Sequence, residues 1–170
     1  PRRVTLSRNG IAPLPGPPPL PCDLATEAGW PADVRILGMI GRLDPRKGHR
    51  LAIVALHRLI HAGQPDLRLF IAGTGREEPH LRALIAELGL GAHVHLAGFR
   101  RDVPEILARL DLFLLPSFSE GLPYSVLEAA RQGIPTLSSR LEGTEDFFVD
   151  GQTIFFVPPG DQDALTDRLR

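Results

Sequence analysis

From residue 34 onward the chain alternates short, unbroken apolar runs with longer segments of helical repeat. The apolar runs at 34–40, 67–72, 93–96, 112–115, 134–137 and 154–157 predict strands. Between them, 50–62, 77–88, 103–110 and 124–132 predict helices, and Asp161 opens a last one. In 77–88, Leu81, Leu84, Ile85 and Leu88 recur at the spacing of one helical face. Strands that are apolar throughout are buried on both faces, which is the habit of a parallel sheet with helices on either side. The pattern therefore predicts an α/β fold with a doubly wound, Rossmann-like parallel sheet. Ligands of such sheets sit at the carboxyl ends of the strands. Ahead of this region, 4–6 is a short strand candidate closed by the turn pair Asn9-Gly10. Residues 11–34 hold seven prolines and are expected to form a surface loop or linker without helix or strand.

The remaining bulk properties narrow the function. The chain has 170 residues, 43% of them hydrophobic and 23% charged, ordinary values for one soluble domain. A net charge of −1 gives no basic footprint for nucleic acid, and no apolar run approaches the ~20 residues of a membrane span. Cys22 is the only cysteine, so no internal disulfide forms, and its Pro-rich surroundings mark an inert thiol rather than a nucleophile. The chain begins without Met and stops within a helical pattern, so a fragment is expected. The basic residues are almost all Arg, and the sole lysine is Lys47. A lone Lys in an Arg-rich chain hints at a need for a compact ammonium.

The strand-end rule gathers specific loops. Gly41, Arg42, Lys47 and Gly48 follow the first regular strand, Gly73-Thr74-Gly75 the second, Gly98-Phe99-Arg100 the third, and 117–121 the fourth. This rim would carry two cations, several glycines, the carboxylates Glu120 and Glu128, and a helix start near Pro123. A helix N-terminus offers free N–H groups to phosphate. Pro123 has none, so Tyr124 and Ser125 or the preceding turn must supply them. Arg42 and Lys47 suit a diphosphate, and a carboxylate suits sugar or ribose hydroxyls.

These segments resemble retaining glycosyltransferases of family 4, over nearly the whole chain and in particular their C-terminal, nucleotide-sugar-binding domain. The resemblance rests on Gly41-Arg42 with Lys47-Gly48, on Glu120 and Glu128 with seven residues between them, on Asn9-Gly10-Ile11, Gly73-Thr74-Gly75, Gly133-Ile134-Pro135, Val149-Asp150-Gly151 and 157–161. It implies one half of a two-domain GT-B enzyme, residues 1–170 being the nucleotide-sugar-binding domain and an absent N-terminal domain holding the acceptor. It implies that Arg42, Lys47 and Glu120 are catalytic. Arg42 and Lys47 would grip the donor diphosphate and stabilise the leaving group. Glu128 would bind the ribose, and Glu120 the donor sugar. Main-chain groups near Phe99 and Arg100 would face the base, with Gly41 and Gly73 in the donor site. Gly121, Leu122, Tyr124 and Ser125 would surround sugar and phosphates. The implied substrate is a UDP- or GDP-linked sugar, with no cofactor and no metal, and with retained anomeric configuration. A cytoplasmic protein is implied, in reach of the inner membrane face through the missing domain.

The chain departs from the family at Ala12, where Asp is usual, in the prolines of 13–21, and in the turn Glu142-Gly143-Thr144-Glu145-Asp146. Those departures motivate a rival reading as a non-catalytic nucleotide-sugar-binding module, and a sugar-nucleotide epimerase of similar architecture is a third. A dinucleotide dehydrogenase is disfavoured, because no G-x-G-x-x-G follows the first regular strand. Arg100-Arg101 taken alone reads as a solvated pair. His57 and His61 have zinc-compatible spacing but fall on a polar helix face, and His93 and His95 would share a strand face without an acidic or Cys partner. No G-x-S-x-G elbow occurs.

Overall fold

Six parallel strands in the order β3-β2-β1-β4-β5-β6 make the sheet of this computed structural model, which describes residues 11–12, 19–121, 123–142 and 144–170. In chain order the elements are α1 (Leu24–Ala28), β1 (Arg35–Ile40), α2 (His49–His61), β2 (Leu67–Ala72), α3 (Glu78–Glu87), β3 (Val94–Gly98), α4 (Val103–Arg109), β4 (Leu112–Leu115), α5 (Tyr124–Arg131), β5 (Thr136–Ser139), β6 (Phe155–Val157) and α6 (Gln162–Leu169). The strand candidate at 4–6 and the turn pair Asn9-Gly10 lie outside the described residues.

Both faces of the sheet are covered, as the unbroken apolar runs predict. On one face Leu37, Met39, Leu69 and Ile71 pack against Ile53 and Leu56 of α2, Leu81 of α3 and Leu165 of α6. On the other, Ile36, Phe70 and Phe113 pack against Leu24, Ile106 and Leu107, Val126 and Ala129, from α1, α4 and α5. Every residue of β2 is buried. The third strand runs two residues past its expected end, to Gly98. An irregularity between Ile71 and Ala72 shifts the register so that Ala72 faces Gly98, and such bulges re-aim the chain beside functional sites. His93 falls just outside the strand, yet it shares a side with His95, since it meets Arg68 at 2.9 Å while His95 stacks on Phe70, two residues further along β2.

The Pro-rich segment is not wholly loop. Asp23 caps α1 by accepting the Thr26 N–H at 3.0 Å, and Gly29 closes it in the left-handed region. Leu24 and Ala25 are buried, and Trp30 meets Phe70 edge-on. Burial of these apolar side chains overrides the proline-rich composition, so the expectation of a helix-free 11–34 is corrected. Leu24→Ala is expected to lower the unfolding free energy by about 2–5 kcal/mol. A chemical-denaturation midpoint shift checks it; a surface loop would lose under ~0.5 kcal/mol.

Candidate functional site

Strand order reverses between β1 and β4, the point where doubly wound sheets open a crevice. The loop after β1 and the loop after β4 flank it, and backbone bonds fix them to each other and to the loop after β2. The Leu43 N–H donates to the Thr74 carbonyl at 3.0 Å, and the Phe118 N–H to the Arg46 carbonyl at 2.7 Å. Two glycines permit this closeness. A Cβ on Gly48 would fall 2.0 Å from the Pro116 carbonyl oxygen, and one on Gly73 1.8 Å from that of Gly41. Both have positive φ, +71° and +150°, so only glycine fits the backbone and the space.

Lys47 and Glu120 meet across the switch point. Lys47 Nζ lies 2.6 Å from Glu120 Oε1, and the buried Ser117 hydroxyl donates to the same oxygen at 2.9 Å. Their side chains are only 24% and 14% exposed, so the pair is largely shielded. Sequence reading placed these groups on one rim with separate tasks, whereas the fold holds them as a bonded pair. Arg42 is exposed and has no carboxylate partner among the described residues. It therefore offers a free guanidinium beside a shared ammonium.

Among the described residues, Arg42 lines three cavities, of which two also hold residues of the predicted site beyond Arg42 itself. One, of about 460 Å³, is lined by Arg42, Lys47, Glu120 and Gly121 together with Asp44, Arg46 and Ser119. The other, of about 350 Å³, is lined by Gly41, Arg42, Gly73, Phe99 and Arg100, with Thr74 and the apolar Ile40 and Val103. The first is mainly polar, the second mainly apolar, which suits charged groups in one and a flat, weakly polar ring in the other. α5 starts at the first cavity's edge. Its N-cap Pro123 is extended and makes no side-chain cap, and the Tyr124 and Ser125 N–H groups have no acceptor among the described residues. Glu128 stands half-buried one turn further, without a hydrogen-bond or ion-pair partner among the described residues. The Leu122 side chain lies outside the described residues.

Arg100 is not a solvated residue, which corrects the sequence reading. Its guanidinium is 18% exposed and lies between Glu27 Oε1, at 2.5 Å, and Asp102. The Arg100 guanidinium bound to Asp102 lowers the Asp102 carboxyl to about 2. Burial, with the Asp102 carboxylate close by, pushes the Cys22 thiol up to about 11, in keeping with an inert cysteine. Glu27 also lies 3.6 Å from His95, an acidic neighbour that sequence reading did not foresee. Among the described residues no group of three or more His, Cys, Asp or Glu could hold a metal ion. Arg140 bridges Glu145 and Asp150, so one departure from the family turn takes part in an ion-pair network of its own.

Sequence reasoning missed Asp44, Ser117 and His49. Asp44 could be found from its position, since an Asp before Pro45 is an N-cap signal, and it accepts the Arg46 N–H at 3.1 Å. Ser117 carries no such mark. His49 opens α2 next to Lys47 and is buried, and its Nδ1 has no hydrogen-bond partner among the described residues. Burial, aided by the Lys47 charge, pushes it down to about 4 from an ordinary value of about 6.5. Between those values the unfolded chain binds the proton and the folded one does not, so stability rises with pH. The stabilisation is complete above about pH 6.5 and lost as pH falls through about 4, roughly 3 kcal/mol in all. His49→Gln is expected to flatten that part of a urea-midpoint profile against pH.

Comparison with known proteins decides the family. The model of the glycosyl transferases group 1 matches residues 24–170. The chain belongs to this family. It is 35% identical over 135 residues to the lipopolysaccharide core biosynthesis glycosyltransferase LpsE of Rhizobium meliloti, covering 79% of the chain and 38% of that protein. It is 30% identical over 136 residues to the UDP-Gal:alpha-D-GlcNAc-diphosphoundecaprenol alpha-1,3-galactosyltransferase of Escherichia coli, covering 79% and 35%. The crystal structure of HepE from Anabaena in complex with UDP-glucose superimposes with a TM-score of 0.77 at 27% identity, over 86% of the chain and 40% of that structure. The chain thus spans about two fifths of the length of these relatives. Its fold is the Rossmann-like α/β domain of the GT-B glycosyltransferases.

Proposed function

We propose that the chain is the donor-binding half of a retaining glycosyltransferase that takes a sugar from a nucleoside diphosphate and gives it to an acceptor hydroxyl. The observation that carries this is the Lys47–Glu120 pair at the switch point, with free Arg42 on one side and the open N–H groups of α5 on the other. Arg42, Lys47 and the α5 amides hold the diphosphate and stabilise the negative charge that grows as it leaves. Glu120, anchored by Lys47 and Ser117, meets sugar hydroxyls. Glu128, one turn into α5, accepts from the ribose. The base lies in the more apolar cavity beside Phe99. The bond from anomeric carbon to phosphate oxygen breaks as the acceptor oxygen bonds the same face, and the departing phosphate oxygen takes the acceptor proton. The configuration is thereby retained. Cationic side chains meet the charge that a metal would otherwise meet.

The donor is a UDP- or GDP-linked sugar, a choice supported by the UDP-glucose complex of HepE. The acceptor is held by a separate N-terminal domain, a reading consistent with relatives longer than this chain. Several relatives are named for lipopolysaccharide or lipid-diphosphate glycosylation, which supports a cytoplasmic site of action at the inner membrane face, with membrane contact through that other domain. No helix among the described residues is long and apolar enough to cross a membrane. The departing turn at 142–146 contributes no residue, among those described, to the cavity of Arg42, Lys47 and Glu120, so it gives no ground against donor binding. A thermal-shift panel of nucleotide sugars finds the donor, and the anomeric coupling constant of the product, read by NMR, tests retention. An inverted product, or full activity in Glu120→Gln, overturns the reading.

A further inference from the structure

Glu27, in α1, is not itself among the residues that line the more apolar cavity, yet it is tied to one that is. The link is Arg100. Its Nη1 meets Glu27 Oε1 at 2.5 Å, its Nε donates to Asp102 Oδ1 at 2.8 Å, and its planar head lies 5.9 Å from the centre of the Phe70 ring. Arg100 thus sits in a fork between two carboxylates, while Arg100 and Phe99 both line the cavity. Asp102 is the N-cap of α4 but makes no side-chain cap there, so its carboxylate serves Arg100 and the Cys22 thiol, 3.4 Å away. The other end of the loop is tied where the Gly73 N–H donates to the Gly98 carbonyl at 2.7 Å. Glu27 is itself fixed by a helix whose Leu24 and Ala25 are buried. Phe99 stays 69% exposed beside the cavity, so packing of its own side chain does little to hold it in place.

We propose that Glu27 is a positioning residue for recognition of the donor base, acting through Arg100 to hold the Phe99–Arg100 peptide groups at the cavity wall. This rests on the donor-site reading above. Bidentate Arg–carboxylate contacts fix orientation as well as distance. Loss of the Glu27 arm leaves Arg100 held by Asp102 alone, and the loosened hold lets the Phe99–Arg100 peptide groups shift. The diphosphate is held elsewhere, by Arg42, Lys47 and α5, and keeps its partners.

Calorimetric titration of the protein with UDP, GDP and inorganic pyrophosphate tests this. Glu27→Gln is expected to weaken the preferred nucleoside diphosphate roughly threefold to tenfold and to leave pyrophosphate unchanged. Glu27→Asp, which keeps the charge, should recover part of the loss. Glu27→Gln and Arg100→Gln together should cost no more than Arg100→Gln alone. Equal weakening of nucleotide and pyrophosphate, no weakening of either, or additive losses in the double variant would overturn the proposal. Should Glu27→Gln not fold, Glu27→Asp must show the same selectivity in smaller measure, and an unselective loss there is equally fatal. If the unsubstituted protein binds UDP and GDP no more tightly than pyrophosphate, the donor-site reading itself fails.

Discussion

Lys47→Ala is expected to lower the transfer rate by about 10²–10³-fold, the range seen when one preorganised donor to a developing oxyanion is removed. The ammonium is worth this much because it is shielded: at 24% exposure it acts through less water than a surface lysine does. Glu120 loses its ion-pair partner in the same variant and keeps only the Ser117 hydroxyl, so sugar placement suffers with phosphate charge stabilisation. Lys47→Arg should rescue poorly. A guanidinium is larger and planar, and the 2.6 Å contact to a single oxygen suits a compact ammonium. Steady-state rates on the identified donor decide it, with a fall in kcat larger than the rise in KM as the sign of a contact that strengthens in the transition state.

Gly73→Ala is expected to destabilise the fold as much as Leu24→Ala and to damage the site as well. The added methyl carbon would lie 1.8 Å from the Gly41 carbonyl oxygen, at a φ of +150°. No rotamer relieves a clash between a Cβ and backbone. The loops after β1 and β2 must separate, and the Leu43–Thr74 bond is the first to go. A loss of about 2–5 kcal/mol follows from overpacking plus an unfavourable backbone conformation. Because Gly41 and Gly73 line the same cavity as Phe99 and Arg100, nucleotide affinity should drop even below the melting temperature. A variant that melts like the parent protein and still binds nucleotide would mean that these loops are not in contact.

The fold was legible where burial is complete. The runs at 67–72 and 112–115 coincide with β2 and β4 because nothing polar interrupts them except Arg68, whose guanidinium turns to the carbonyls of Pro65 and Leu67. β3 was read short because Gly98 and the register shift beside it follow from pairing with β2, not from hydropathy. α1 was missed because five helical residues give little periodicity among prolines, although Asp23, Thr26 and Gly29 are cap residues by type. The rim loops could be placed from strand ends alone, so Arg42, Lys47, Glu120 and Gly121 were brought together in advance. Their bonding was not legible. Spacing along a chain says nothing about which cation meets which carboxylate across a crossover. The fork around Arg100 was hidden for the same reason, since Glu27 approaches it only through the packing of α1. His49 was hidden because histidine at a helix start reads as polar, while here the ring is buried.

Isothermal titration of the protein with UDP and GDP, repeated for Arg42→Ala and Lys47→Ala, tests the diphosphate site most directly. Each substitution is expected to weaken the nucleoside diphosphate by roughly tenfold or more, the measure of a lost charge-assisted contact, while uridine or guanosine without phosphates keeps its affinity. Equal diphosphate affinity with and without these two side chains would contradict the site.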